Sequence, residues 1–246
     1  MAASAGEQLN VLCERYLEVV LADRGSTFIL LLQAPVIAGF TVLNWRSVDG
    51  VTDSLYYVLA LSALWFGTLN ACREVVKERP ILERETRRGL QVGPYLLSKL
   101  MVLALLSFVQ CFCLAYLVDY YLPLGGPAFC HFLYLWLTSL GGIALGLFLS
   151  CLMSNSDRAV GAVVLVLIPQ MLFSEMVLSH DHASDLVLWA EDFSFISWCF
   201  QGLKELTEAE WAWTTLSQAA AMLGILTGLL LAGSFALLKW RLRRWS

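Results

Sequence analysis

Six stretches of this chain are apolar for long enough to cross a bilayer, and that length limits what the chain can fold into more than any other feature. Crossing about 30 Å of hydrocarbon as a helix takes about 20 residues. Runs of that kind fall near residues 27–45, 54–71, 96–119, 131–153, 159–179 and 217–239. In hydrocarbon each backbone N–H and C=O must be satisfied by the protein itself, so only helices and closed barrels span. The sequence therefore predicts an all-α integral membrane protein with six transmembrane helices over 27–239. Its charge content agrees: 15% of residues are charged, where soluble domains carry about a quarter.

Residues 1–26 hold Glu7, Glu14, Arg15, Glu18, Asp23 and Arg24, so they lack the basic start and unbroken apolar core of a cleavable signal. The first span is then the insertion signal. Within this segment Leu9, Leu12, Cys13, Tyr16, Val19 and Val20 recur at helical spacing. That stripe fits an amphipathic connecting helix lying in the membrane interface, or one packed on a partner. Gly25 and Ser26 are expected to separate it from the first span.

Lysine and arginine accumulate on the cytoplasmic side of short loops. With both termini inside, fourteen of the sixteen basic residues fall on that side, leaving Arg46 and Lys204 outside. This predicts a multi-pass protein of the cell (inner or plasma) membrane with a basic cytoplasmic tail at 240–246. Its largest extracellular segment, 180–215, is rich in aromatic residues suited to the headgroup level. Cys130 and Cys199 are the two cysteines that could meet an oxidising exterior and form a bridge, or remain small buried apolar residues. Gly142 with Gly146, and Gly224 with Gly228, stand at the GxxxG spacing that lets helices approach closely, within one bundle or between two copies.

One polar block interrupts the apolar pattern. Residues 73–88, "REVVKERPILERETRR", carry ten charges in sixteen positions. Glu74 and Glu78, Arg73 and Lys77, and Glu83 and Arg87 are each four apart, a spacing that stacks side chains on one helical face. Pro80 is expected to break the ladder into two short helices, the second ending at Gly89. An ordered cytoplasmic elbow over 73–95 follows, and order of that kind suits a docking surface better than a solvated connector.

The chemistry of catalysis is sparse. The chain has no GxxxxGK[ST] loop to cradle phosphates, no GxSxG elbow and no HExxH pair. By itself it is not expected to hydrolyse ATP, and its acidic balance suggests no nucleic-acid partner. "HDHASD", 180–185, makes His180 and His182 weak candidates for a metal, with a solvated loop as the alternative. Ionisable groups at membrane depth are costly, so Glu175, at the outer end of an apolar run, either snorkels to water or is a candidate outer gate or cation contact.

"CREVVKERPILERETRRGLQVGPYLLSKL" resembles the loop between the second and third spans of type-2 ABC permeases, in particular the G-subfamily (white/pigment-exporter type) and its bacterial relatives. "LLQAPVIAGF" is similar to the first span of those proteins, and "IPQMLFSEMVL" to the fifth. The resemblance implies a permease that pairs with a second permease domain, a homodimer here, and works with an ABC ATPase that binds ATP and Mg, the chain itself holding no cofactor. It implies that Glu74, Glu78, Arg79, Glu83, Arg84, Glu85, Arg87 and Arg88 form the surface that couples to the ATPase. It places substrate near Trp65, Phe66, Ile168 and Met171, and a lipid-like or hydrophobic molecule fits that lining. Glu175 stands where the family usually has glycine. The ATPase domain commonly fused ahead of the first span is expected to be a separate polypeptide or a missing part of this one. Two other readings stay open: a membrane enzyme or metal-binding protein with an extracytoplasmic site, and a non-transporting membrane scaffold.

Overall fold

The computed structural model describes residues 4–48, 50, 52–172, 189–208 and 210–243, and among them there are helices and turns but no strand. The helices are α1 (Ala5–Ala22), α2 (Arg24–Trp45), α3 (Asp53–Ala71), α4 (Glu74–Thr86), α5 (Val92–Tyr121), α6 (Ala128–Leu152), α7 (Ser156–Leu172), α8 (Phe195–Glu205) and α9 (Trp213–Arg243). Among the described residues, five candidate membrane spans, containing α2, α3, α5, α6 and α9, are long and apolar enough to cross a bilayer. The fifth expected span begins as α7, and its remainder lies outside the described residues.

The centre of the bundle is the contact between α3 and α6, and small residues set it. A methyl group on Gly67 would stand 2.0 Å from the carbonyl oxygen of Ser139, one on Gly142 2.4 Å from that of Leu64, and one on Gly146 2.6 Å from that of Thr68. The two backbones therefore touch, as glycines a turn apart permit. Gly142 and Gly146 are thus committed to packing inside this chain. Gly224 and Gly228 have nothing within 4 Å of an added methyl group and leave an open face on α9.

One polar chain links three of the spans, since hydrocarbon offers such groups no other partner. Asn70 Nδ2 donates to Gln110 Oε1 at 2.7 Å, and Gln110 Nε2 donates to the carbonyl of Leu30 at 2.7 Å. This ties α3 and α5 to the turn of α2 just ahead of Pro35, where the missing proline N–H loosens the helix ladder. On its other side α2 offers Phe28, Ile29, Leu32, Val36, Phe40 and Leu43 to the surroundings, the side chains of a lipid-facing helix.

At one end of the bundle lie the end of α2, the start of α3, the 122–127 connection and α8. The Tyr56 hydroxyl donates to the carbonyl of Leu124, and Lys204 Nζ stands 3.0 Å from Asp53 Oδ2. The aromatic residues of α8 are built into this end: Phe195, Trp198 and Phe200 are buried with Ile196 and Leu203. Cys199 is also buried and lies 3.8 Å from the carbonyl oxygen of Tyr134; Cys130 and Cys199 are both free thiols, so no bridge joins them. Trp189 and Phe193 remain exposed.

At the opposite end lie α1, α4 and the last turns of α6 and α9, over a second core that includes Leu12, Tyr16, Val75, Leu82, Tyr95, Leu147 and Leu238. Two boundaries differ from those expected. The break between α1 and α2 falls at Asp23, because its carboxylate accepts the N–H of Ser26 and so starts the next helix; Gly25 and Ser26 lie in that first turn. The elbow bends at Cys72 and Arg73, and α4 runs unbroken through Pro80. Tertiary contacts hold both sides of the proline: Arg79 bonds the end of α6, and Leu82 is fully buried. Gly89 then ends the elbow, with a φ of 103° that lets the N–H of Leu90 reach back to the carbonyl of Glu85.

Candidate functional site

The charges of the elbow separate by sign. Arg73, Lys77, Arg84, Arg87 and Arg88 are exposed, together with Pro80 and Ile81, whereas Glu74 is buried and Glu78, Glu83 and Glu85 are partly covered. The exposed positions recur at the spacing of one helical face. A block that is mixed in sequence is therefore a cationic stripe with an apolar centre on the outside, its acids turned toward the bundle.

Those acids are held by residues from distant parts of the chain. Lys99, 2% exposed near the start of α5, places Nζ 2.7 Å from Glu78 Oε1 and 3.6 Å from Glu74 Oε2. The same ammonium lies 3.4 Å from the centre of the Tyr16 ring, a cation–π contact in a desolvated setting. Tyr16 donates its hydroxyl to Glu74 Oε2, and Tyr95 donates to Glu78 Oε2 at 3.1 Å. Lys77 pairs with Glu74 from the exposed side. Two lysines and two glutamates balance, which is the condition for keeping such charges out of water. Burial, then the Glu74 carboxylate, push the Tyr16 phenol well above its usual range, so it stays a donor.

Further contacts fix the elbow as a rigid piece. The Ser150 hydroxyl of α6 accepts the N–H groups of Val75 and Val76, each at 3.0 Å, and so caps the start of α4 from another helix. Arg79 Nη2 donates to the carbonyls of Cys151 and Met153 at the end of α6. Burial, then the neighbouring Arg241, lower the pKa of Arg79. Toward α1, Arg15 makes a two-pronged pair with Glu85 at 2.7 and 3.3 Å; that hydrogen bond chiefly raises the arginine's pKa. Gln8 accepts the N–H of Gln91 at 3.0 Å and donates to the carbonyl of Gly89 at 3.3 Å. Helix α1 is therefore clamped onto the elbow as well as packed on α5 through Leu12 and Tyr16.

The eight expected elbow residues thus divide into two groups. Glu74, Glu78, Arg79 and Glu85 fasten the elbow, while Arg84, Arg87 and Arg88 face outward and Glu83 sits between them. Tyr16, Lys99 and Ser150 belong to the same assembly without having stood out as site residues; the visible signal was Lys99, the one cation within the apolar run of α5. On the α3 and α7 side, Tyr57 donates its hydroxyl to the carbonyl of Met171 at 2.9 Å, placing these helices side by side. Trp65 and Ile168 face outward, Met171 is partly covered, and Phe66 lies fully buried in the core. Glu175, His180 and His182 lie outside the described residues. Among the described residues, no group of three His, Cys, Asp or Glu side chains is placed to hold a metal ion.

Among the described residues, five helices long and apolar enough to cross a bilayer, with a charged elbow clamped to one end of their bundle, mark a multi-pass membrane protein. It belongs to the ABC-2 type transporter family, whose model matches residues 7–206, from α1 through α8. The chain is also similar to the ABC transporter ATP-binding/permease protein Rv1747 of Mycobacterium tuberculosis. They are 24% identical over 187 residues, which cover 68% of this chain and 22% of that relative. The chain thus spans about a fifth of the length of the relative it matches.

Proposed function

We propose that the chain is the transmembrane permease part of an ABC transporter, with the cationic face of α4 as the surface on which an ABC ATPase docks. The observation that carries this reading is the sorting of charge on the elbow: acids clamped to α5 and α1, bases presented outward. A surface fixed in this way can pass a displacement to the bundle, because Lys99, Ser150 and Arg15 connect α4 to three different helices. ATP and Mg, bound by the ATPase, supply the driving free energy. Alternation between inward and outward openings then follows from differential binding to the two states.

In this reading both termini are cytoplasmic, the membrane is the cell membrane, and two copies pair around a path bordered by α3 and α7. Trp65, Ile168 and Met171 border that path and Phe66 supports it from within. A lipid-like or hydrophobic cargo, moved outward, fits those side chains, and Glu175 would stand at the outer gate. The test is affinity purification of the full chain from its native membrane. Recovery of a protein with a phosphate-binding loop, at one copy per permease, supports the reading; a chain that moves no cargo even with such a partner is a scaffold.

A further inference from the structure

A cavity of about 620 Å³ opens at the elbow end of the bundle, between α4, the end of α6 and the last turns of α9. We propose that it binds the headgroup of an anionic phospholipid from the leaflet on that side, with the phosphate seated on Arg79 and Arg241. Both arginines are already fixed. Arg79 Nη2 bonds the carbonyls of Cys151 and Met153, and Arg241 Nη2 donates to the carbonyl of Leu152 at 2.7 Å. Two guanidinium groups therefore converge on one helix end, where carbonyls lack partners of their own. Each guanidinium has five N–H donors in a fixed fork, so among the described residues Nε and Nη1 of both carry no hydrogen bond and are left for an occupant.

Charge narrows the class of ligand. Among the described residues, the charged ones lining the cavity are Arg79, Arg241 and Glu83, which together carry one net positive charge that a single phosphodiester neutralises. Glu83 also provides an acceptor suited to a headgroup hydroxyl, such as that of a glycerol. The apolar wall points to a lipid over a soluble anion. Leu238 forms part of it, and Trp240 stands more than half exposed where α9 leaves the membrane, the level that tryptophan favours. Basic pockets between membrane helices are a general setting for acidic headgroups. The proposal requires only that α9 crosses the bilayer, so it stands or falls apart from transport.

The experiment is native mass spectrometry of the full chain in detergent, with phosphatidylglycerol, phosphatidylcholine or inorganic phosphate added in turn. Phosphatidylglycerol should be retained about fivefold more strongly than phosphatidylcholine, as one net positive charge near a headgroup would give, and inorganic phosphate should not displace it. Arg79→Gln with Arg241→Gln should abolish the preference. Because those residues also cap α6, Ser154→Glu made together with Arg158→Gln provides a second variant: it leaves both caps in place, removes the Arg158 cation that now donates to the serine hydroxyl at 3.0 Å, and adds an unpaired carboxylate at the cavity wall, and it too should remove the preference at unchanged melting temperature. Equal retention of the two lipids, displacement by inorganic phosphate, or a preference that survives Ser154→Glu with Arg158→Gln in a folded protein would overturn the proposal.

Discussion

Lys99 Nζ lies 2.7 Å from Glu78 Oε1, joining the third membrane helix to the elbow through an ion pair whose lysine is almost wholly removed from water and whose glutamate is partly covered. Removing one partner of such a pair strands the other, at a cost of about 3–5 kcal/mol. Lys99→Met should lower the stability of the purified protein by that order in a detergent unfolding assay. Lys99→Met combined with Glu78→Gln should recover part of the loss, since no single charge is then left unpaired.

Tyr16 links α1 to the same cluster through Glu74. Tyr16→Phe keeps the ring under Lys99 and removes only the hydroxyl, so the expected cost is about 1.5–3 kcal/mol, the range for a hydrogen bond to a charged group. Burial beside Glu74 holds the phenol above its ordinary 10.0, so the folded chain keeps a proton that the unfolded chain gives up at high pH. The stability difference between wild type and variant should be full below pH 10.0 and shrink as the pH rises beyond it. Unfolding series at neutral and alkaline pH measure it.

Ser150 is the acceptor for two N–H groups at the start of α4. Ser150→Ala leaves both without it, and the loss should be about 1–3 kcal/mol, as for buried groups left unsatisfied. Hydrogen exchange gives the more specific reading: protection should fall at Val75 and Val76 while the middle of α6 is unchanged.

The two glycine pairs should respond oppositely. Gly142→Ala drives a methyl group against the carbonyl of Leu64 and should lower the melting temperature sharply, whereas Gly224→Ala meets open space and should leave it unchanged or slightly raised. If Gly224→Ala weakened a purified dimer without altering the monomer, the open face of α9 would be a contact between copies.

Much of this arrangement was legible in the sequence where length or local period carries the signal. The expected span at 54–71 meets α3 almost residue for residue, because Asp53 and the charged block bound it sharply. The span at 96–119 is shorter than α5, which begins at Val92, because hydropathy registers only the apolar part of a helix that extends past the hydrocarbon. The stripe through Leu12 and Tyr16 on α1 was visible too. What local pattern could not show is which charges of 73–88 turn inward. That choice is made by Lys99, Tyr16, Arg15 and Ser150, whose contacts to the elbow span from 21 to 75 residues of sequence. The continuity of α4 through Pro80 has the same origin, since local propensity favours a break and contacts from α6 hold the helix together.

The central claim is that the outward bases of α4 receive the ATPase while its inward acids only fasten it. The most direct measurement compares wild type with Arg84→Ala, Arg87→Ala, Arg88→Ala combined, scoring ATPase recovery on the purified permease and ATP turnover in reconstituted membranes. The account predicts a variant that still inserts and folds but loses most of the bound ATPase and its coupled turnover. Full recovery of the ATPase with unchanged coupled turnover would contradict it.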